Sequence, residues 1–550
     1  MPDRAPVTRL HTHEVLNQPP AFENRNAFVD DRPLQEALYR GSAEWAVAAL
    51  TEFGASVGSA EVQEQGEQAN THPPVLRAFD RHGRRVDEVR YHPAYHQLMA
   101  LGIAHGTHSL GWSEHRPGSK VAQAALLYLL HQAEPGVCCP LVMTSAAVPA
   151  LQASPELASE WTARLLSRHY DGRSLPVMEK NGATVGMAMT EKQGGSDLRT
   201  NTTRAEHIGG DQYLLTGHKW FCSAPMSDAF LTLARVDDRL TCFLVPRWCP
   251  DDSRNPIRLQ RLKDKLGNRA NASSEIEFQG AWAQRLGDEG RGVATIIEMA
   301  HHTRLHTSVA PASLMRQSLA LAIHHASHRH AFGRPLLEQP LMRAVLVDLA
   351  LESEAATMLA FRLAAAFDAA ARDIAESRLA RLLVPVVKYW INKRTPVHVA
   401  ECMECLGGGG YVEDSLLPRI YREAPLNGIW EGSGNIMCLD FLRALARDQE
   451  GHGLLMDQVV AARGFHPLLE RALERLSGAL AAPNEETARS LVGDVAVTLA
   501  ASLLAQHAPE PVALGYVHTR LGTTPARCFG ELPAGLEQAG ILERARPAGR

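Results

Sequence analysis

Residues 425–447 read PLNGIWEGSGNIMCLDFLRALAR, and the rest of the chain arranges itself around them. Asn427-Gly428 makes a turn. Ile429-Trp430 then presents one carboxylate, Glu431, ahead of Gly432, Ser433, Gly434 and Asn435, and helical apolar spacing starts near Ile436. Ser433 or Asn435 can cap that helix, whose first N–H groups point outward unpaired. A carboxylate between a tryptophan and small turn-forming residues fits a general base. It fits equally an acid placed at a helix start because the dipole favours it there.

A chain of 550 residues is too long for one core, so three or four domains are expected. The net charge of −5 gives no global attraction to nucleic acid or an anionic membrane, although a local basic patch stays open. Nine cysteines in this length make no disulfide framework. Cys402-x-x-Cys405 lacks a second pair and reads as buried thiols in a reducing compartment. The N-terminus shows no apolar signal core, and no uncharged apolar run reaches a membrane-spanning length, so a cytoplasmic protein is expected. His324, His325, His328 and His330 cluster without a cysteine or carboxylate at ligand spacing, so no metal site is expected.

Four regions follow from the periodicity, with an expected fold class of α+β, mostly α. Residues 1–184 form an extended arm and a helical domain, with helices over 34–53, 95–105, 120–132 and 156–170. Residues 185–288 switch to period two and form a small antiparallel β domain, with strands over 213–216, 219–223, 229–235, 240–246, 257–262 and 275–278. Residues 289–447 return to helical spacing over 293–328, 341–371, 378–394 and 396–406, a bundle carrying Glu431. Residues 448–550 form a further helical domain, with helices over 468–480 and 486–505 and a frayed end from Arg544.

Four other stretches carry chemistry. Residues 186–200, GMAMTEKQGGSDLRT, end a strand and turn at Gly194-Gly195, where Thr190 and Ser196 can approach a polar ligand closely. A plain capped turn would look the same. Trp220-Phe221-Cys222-Ser223 offers an aromatic wall and a hydroxyl to a flat ring, or is simply core. Arg329 to Pro335 ends a long helix, where an arginine meets a phosphate or only caps the helix. Gly407 to Gly410 lets backbone lie against a neighbour, but no strand precedes it, so it is no dinucleotide fingerprint.

Taken together, Met189-Thr190-Glu191, Gly195-Ser196-Asp197, Arg329-x-x-Phe332-Gly333, Gly407-Gly408-x-Gly410-Tyr411 and Trp430-Glu431-Gly432-Ser433 resemble the acyl-CoA dehydrogenase flavoproteins, in order and spacing. The resemblance implies FAD. The cofactor-binding residues it implies are Met187, Ala188, Met189, Thr190, Gly194, Gly195, Ser196, Trp220, Phe221, Ser223, Arg329, Phe332, Gly407, Gly408, Trp430, Gly432, Ser433 and Asn435. Thr190, Ser196, Phe221 and Ser223 would lie by the flavin ring and Gly407 and Gly408 by the pyrophosphate. Arg329 would reach a neighbouring subunit's FAD in a homotetramer. Glu431 matches the family's catalytic base, and burial would raise its pKa toward neutrality. The family's alternative base position is Thr303 here, before Arg304, and carries no acid. Glu404 stands where many members have glutamine.

The phrases Thr12 to Pro19, Lys263 to Arg269 and Ile429 to Asp440 are similar to the AidB branch, which is associated with defence against DNA alkylation. That branch implies double-stranded DNA as a partner and an added C-terminal domain in contact with it. From Ala446 onward, however, ten arginines and no lysine face twelve Asp and Glu, not a basic footprint. Contact would fall to Arg443 and Arg447, to Arg471 and Arg475, and to Arg520, or these are solvated helix faces. The expected function is thus an FAD-dependent oxidoreductase, acting on CH–CH or N-alkyl groups and protecting DNA from alkylation. The alternatives are a metabolic acyl-CoA dehydrogenase of small or branched substrates and a non-enzymatic DNA-shielding flavoprotein.

Overall fold

The computed structural model describes residues 6–522 and 527–547. Asp31 caps α1 (Arg32–Arg40) by accepting from Leu34 N. α2 (Val47–Val57) and α3 (Ala60–Thr71) follow. An antiparallel ribbon, β1 (Val75–Phe79) and β2 (Arg85–Arg90), then interrupts the helices. It was not expected, because arginines at positions 77, 85 and 90 break any clean apolar alternation. Five helices complete the unit: α4 (Pro93–Ala104), α5 (Leu110–Ser113), α6 (Ser119–His131), α7 (Pro135–Leu151) and α8 (Pro155–Leu165). α7 escapes the sequence reading because it carries Pro140 and Pro149 internally, yet all its residues except Pro149 are buried. Packing on every side holds it through the lost hydrogen bonds.

The β domain has seven strands: β3 (Val185–Ala188), β4 (Arg204–Gly209), β5 (Gln212–Ser223), β6 (Ala229–Val236), β7 (Arg239–Pro246), β8 (Ile257–Leu262) and β9 (Ser273–Leu286). The order is β3-β6-β4-β5-β9-β7, with β8 on β9, and pairing of β6 with β7 closes the sheet on itself. Two expectations are corrected. The sheet is mixed, since β3 runs parallel to β6 and β4 meets β6 in parallel at Arg204. The two strands expected over 213–223 are one, carried past register shifts by pairing along β9.

The bundle is built from α9 (Gly292–His328), α10 (Pro340–Ala369) and α11 (Ile374–Cys405). α11 corrects a further expectation: it runs through Pro385 and Pro396 without ending, because α9 and α10 pack along it. α12 (Gly408–Tyr411), α13 (Leu416–Glu423) and α14 (Gly434–Arg447) then frame the Glu431 loop. The C-terminal unit contains α15 (Gln449–Val460), α16 (Pro467–Ala481), α17 (Ala488–His507), α18 (Glu510–Arg520) and α19 (Ala539–Ala545). α17 is long and apolar enough to cross a membrane, but it is a core helix packed against α10, α11, α15, α16 and α18. Arg544, expected to fray, is buried and bonded to Glu36 and Glu354, which fastens the end of the chain to α1 and α10. Residues 548–550 of that expected frayed end lie outside the described residues.

Candidate active site

The loop between α13 and α14 places Glu431. Trp430 Nε1 donates to Asn427 Oδ1 at 2.9 Å, closing the turn that starts the loop. Glu431 and Gly432 both sit at positive φ, +58° and +104°. Glu431 has a side chain, so its left-handed backbone costs free energy and must be held from outside. Two cations from neighbouring helices do this. Lys388 Nζ, on α11, donates to the carbonyls of Asn427 (3.0 Å), Trp430 (3.0 Å) and Gly432 (2.8 Å). Arg304 Nε, on α9, donates to Glu431 O at 2.9 Å. The carboxylate itself meets Thr303 Oγ1 at 2.6 Å. Burial raises the Glu431 pKa from its ordinary value, and the Thr303 hydroxyl, Arg304 and Lys388 only partly offset this. A carboxyl tuned upward toward neutrality suits a general base. Neither expected cap reaches the start of α14: Ser433 makes no side-chain capping bond, and Asn435 accepts from Arg489 instead.

The site lies where three regions meet. Met187 of β3, Met189 just after it and Trp430 from the loop pack on one apolar cluster with Cys139 and Met143 of α7 and Ile296 and Met299 of α9. The Cys139 thiol is pushed up to about 12 by burial, against the pull of Lys265, and it feels the Glu431 charge and the Ser223 and Asn271 side chains. Ser223 and Glu431 therefore border the same buried ground.

The other predicted residues fall as follows. Trp220 N donates to Thr190 O at 2.8 Å, which ties the 186–200 stretch to the aromatic pair. A Cβ on Gly195 would stand 2.5 Å from Thr190 Oγ1, so that turn requires glycine. Gly194 is half-buried and Ser196 exposed. Ala188 is buried in the sheet, its carbonyl taken by Thr232, so it offers a ligand neither group. Phe221 is half-exposed, and Lys263 lies over both its ring and that of Trp220. Gly407 has φ +60°, and a Cβ there or on Gly408 would meet nothing within 4 Å, so both stand open to a close-lying group. Arg329 donates to Asn17 O of the N-terminal arm, and Phe332 is 97% exposed. A half-exposed phenylalanine, a close-packed glycine turn beside a hydroxyl and an unobstructed glycine pair fit a flavin dinucleotide. Glu404 is exposed.

Sequence reasoning missed Thr303, Arg304, Lys388 and Cys139 as neighbours of Glu431. Lys388 left a signal, a single cation in the apolar run LLVPVVKYW. Thr303 was set aside because it is no acid, yet it is the carboxylate's partner. Among the arginines expected to meet DNA, Arg520 is corrected: its side chain is 9% exposed and pairs with Asp348 at 2.7 Å and Glu352 at 2.8 Å. It docks α18 onto α10. Arg443, Arg447, Arg471 and Arg475 are exposed and make no hydrogen bond or ion pair among the described residues. The histidines near the end of α9 bond to backbone, His324 to Pro20 O and His328 to His324 O.

Helical unit, closed β domain and long-helix bundle with Glu431 at their junction define an acyl-CoA-dehydrogenase-type fold. An acyl-CoA dehydrogenase complexed with FAD from Bacillus anthracis shares it, at TM-score 0.64 and 17% identity over 78% of this chain and 80% of that one. Caenorhabditis elegans ACDH-11 in complex with C11-CoA superposes at TM-score 0.83 with 28% identity, covering 98% of this chain and 94% of that one. Three family models match: the adaptive response protein AidB N-terminal domain over residues 17–172, the acyl-CoA dehydrogenase middle domain over 186–281 and its C-terminal domain over 290–446. The Escherichia coli acyl-CoA-dehydrogenase relative AidB is 47% identical over 514 residues, 93% of this chain and 95% of that protein. The chain belongs to the acyl-CoA dehydrogenase family, in its AidB branch. FAD is the cofactor that homologues of this family carry.

Proposed function

We propose that this chain is an FAD-dependent dehydrogenase of a carbon acid, of the acyl-thioester kind, with Glu431 as its base. One observation carries the reading: a desolvated carboxylate, its pKa raised, on a loop fixed at the junction of sheet and bundle. FAD, when bound, would supply the hydride acceptor, and Phe221, Ser223 and Thr190 would hold its ring and Gly407 and Gly408 its phosphates. Glu431 takes the proton on an oxygen that Thr303 orients. Met187, Met189 and Trp430 keep water from the carboxylate, which strengthens it as a base. Phe332, Leu341 and Tyr411, exposed by 97%, 85% and 80%, support self-association, a homotetramer on this reading. The test is anaerobic bleaching of the bound flavin by a panel of acyl-CoAs. Glu431→Gln is expected to keep FAD and lose bleaching. Equal bleaching by the variant would remove Glu431 from the chemistry.

A second reading, association with double-stranded DNA in defence against alkylation, is favoured by the exposed Arg443, Arg447, Arg471 and Arg475, none of which makes a hydrogen bond or ion pair among the described residues. A binding titration across salt concentration tests it, since phosphate contacts produce a steep loss of affinity. Tight DNA binding without flavin reduction by any substrate would leave the shielding role alone.

A further inference from the structure

We infer that Lys388 is a positioning residue for Glu431, its ammonium fixing the stand of the base by gathering the carbonyls on either side of it. The inference rests on reading Glu431 as the base. Lys388 is 1% exposed, in the middle of α11, and forms no ion pair with a carboxylate among the described residues. Its partners are three backbone oxygens, those of residues 427, 430 and 432. An ammonium has three N–H donors and no acceptor, a neutral amine two donors and a lone pair. Three converging carbonyls therefore match the charged form, and the neutral form would turn a lone pair on one of them.

The carbonyl left between them, that of Glu431, goes to Arg304. Cations on two helices thus hold four oxygens of one short loop. The loop also holds Glu431 at φ +58°, a backbone that a residue with a side chain adopts only under strain, and that strain relaxes once the cations are gone. The charged groups facing Lys388 are Glu431 on the loop, Arg304 on α9 and Lys393 on its own helix. Burial pushes Lys388 down to about 7, Glu431 pulls it back up, and Arg304 and Lys393 push it further down. The lysine adds its charge to the neighbourhood of Glu431 without bonding it, so the carboxylate remains available to a substrate proton.

Lys388→Met keeps the aliphatic stem and removes all three donors, and Lys388→Gln keeps an amide. Two readouts separate the clamp from the chemistry. The first is hydrogen–deuterium exchange of the 426–433 peptide in the full chain. Exchange is expected to quicken at least tenfold in Lys388→Met and less in Lys388→Gln, with β7 unchanged. The second is the pH titration of the bound flavin's absorbance, compared with Glu431→Gln. Loss of a nearby cation is expected to move the Glu431 titration upward by about one pH unit. Unchanged exchange in both variants overturns the inference, as does an unmoved titration in Lys388→Met when the Glu431→Gln comparison shows that Glu431 is the titrating group. If Lys388→Met does not fold, Lys388→Gln decides by the same two criteria. Should wild type and Glu431→Gln titrate alike while exchange quickens in the lysine variants, the clamp stands and the reading of Glu431 as base falls.

Discussion

Glu191 and Glu431 each have a lysine at hand, and the chain treats them in opposite ways. Glu191, within the 186–200 stretch, accepts from Lys219 Nζ (2.8 Å), Thr202 N (2.7 Å), Thr203 Oγ1 (2.6 Å) and Gln193 Nε2 (2.7 Å). Burial opposes its charge, but Lys219 and these donors outweigh it and hold the carboxyl at about 2. Glu431 has one hydroxyl, and its lysine is turned to backbone carbonyls. There burial wins and the pKa rises. The lysine's choice of partner separates a structural anion from a base. Glu191 is locked as an ion that ties the 186–200 stretch to β5, and Glu431 is left able to change state.

The largest effect comes from breaking the first pair. Glu191 and Lys219 side chains are both 0% exposed. Removing one partner of such a pair costs about 3–5 kcal/mol. Glu191→Gln or Lys219→Met is therefore expected to lower the urea midpoint strongly, whereas Glu431→Gln leaves it equal or higher. Equal losses at the two sites would erase the distinction. On turnover the order inverts. Glu431→Gln is expected to slow flavin reduction by about 10²–10⁴-fold, the usual worth of a base.

The two carboxyls also pull stability in opposite directions with pH. The depressed pKa of Glu191 means its contribution is fully present above about 4.5 and is lost as pH falls through about 2. The raised pKa of Glu431 means the reverse: a cost that grows as pH climbs above 4.5 through its folded value. Unfolding free energies measured against pH should therefore show a high-pH gain for Glu431→Gln over wild type and none below pH 4.5.

The same contrast runs through the arginines of α14 and the C-terminal unit. Arg520 and Arg544 are committed to buried carboxylates on α10, whereas Arg443, Arg447, Arg471 and Arg475 face solvent. Arg520→Met is expected to destabilise the chain and leave the salt dependence of any DNA binding unchanged. Arg443→Ala with Arg447→Ala is expected to do the converse, each lost phosphate contact reducing the slope by about one. A binding slope that follows Arg520 would reverse the assignment.

Much of this was legible before folding. Long apolar-periodic stretches gave α9 and α10, and the period change at Val185 gave the β domain, because those signals are local. Glu431 stood out because a tryptophan and three glycines or serines frame it. What stayed hidden is non-local. Arg520 and Arg471 look alike in sequence, and only α10, with Asp348 and Glu352 buried on it, tells them apart. α7 was lost to its two prolines, since nothing nearby shows that packing will carry a helix past them. Lys388 and Thr303 lie 43 and 128 residues from Glu431 in the chain, beyond any spacing rule.

Thr303 offers the finest division between the two carboxyls. Its Oγ1 lies 2.6 Å from Glu431 Oε2 and 3.0 Å from the carbonyl of Ala300. A hydroxyl has one proton to donate and lone pairs to accept with. When Glu431 is ionised, Thr303 can donate to it. When Glu431 is protonated, the acid can donate to Thr303, which turns its own proton to Ala300. Both states of the base are then satisfied within one geometry, whereas around Glu191 the Lys219 ammonium and the N–H groups of Thr202 and Gln193 can only donate and hold that carboxyl ionised. Thr303→Val removes the hydroxyl at similar volume. A hydrogen bond to a charged group is worth about 1.5–3 kcal/mol. The acid limb of flavin reduction should therefore move up by about one to two pH units, with FAD content held, and Thr303→Ser should return it. A limb that stays put in the valine variant would mean that Arg304 and Lys388 set the Glu431 pKa without the hydroxyl.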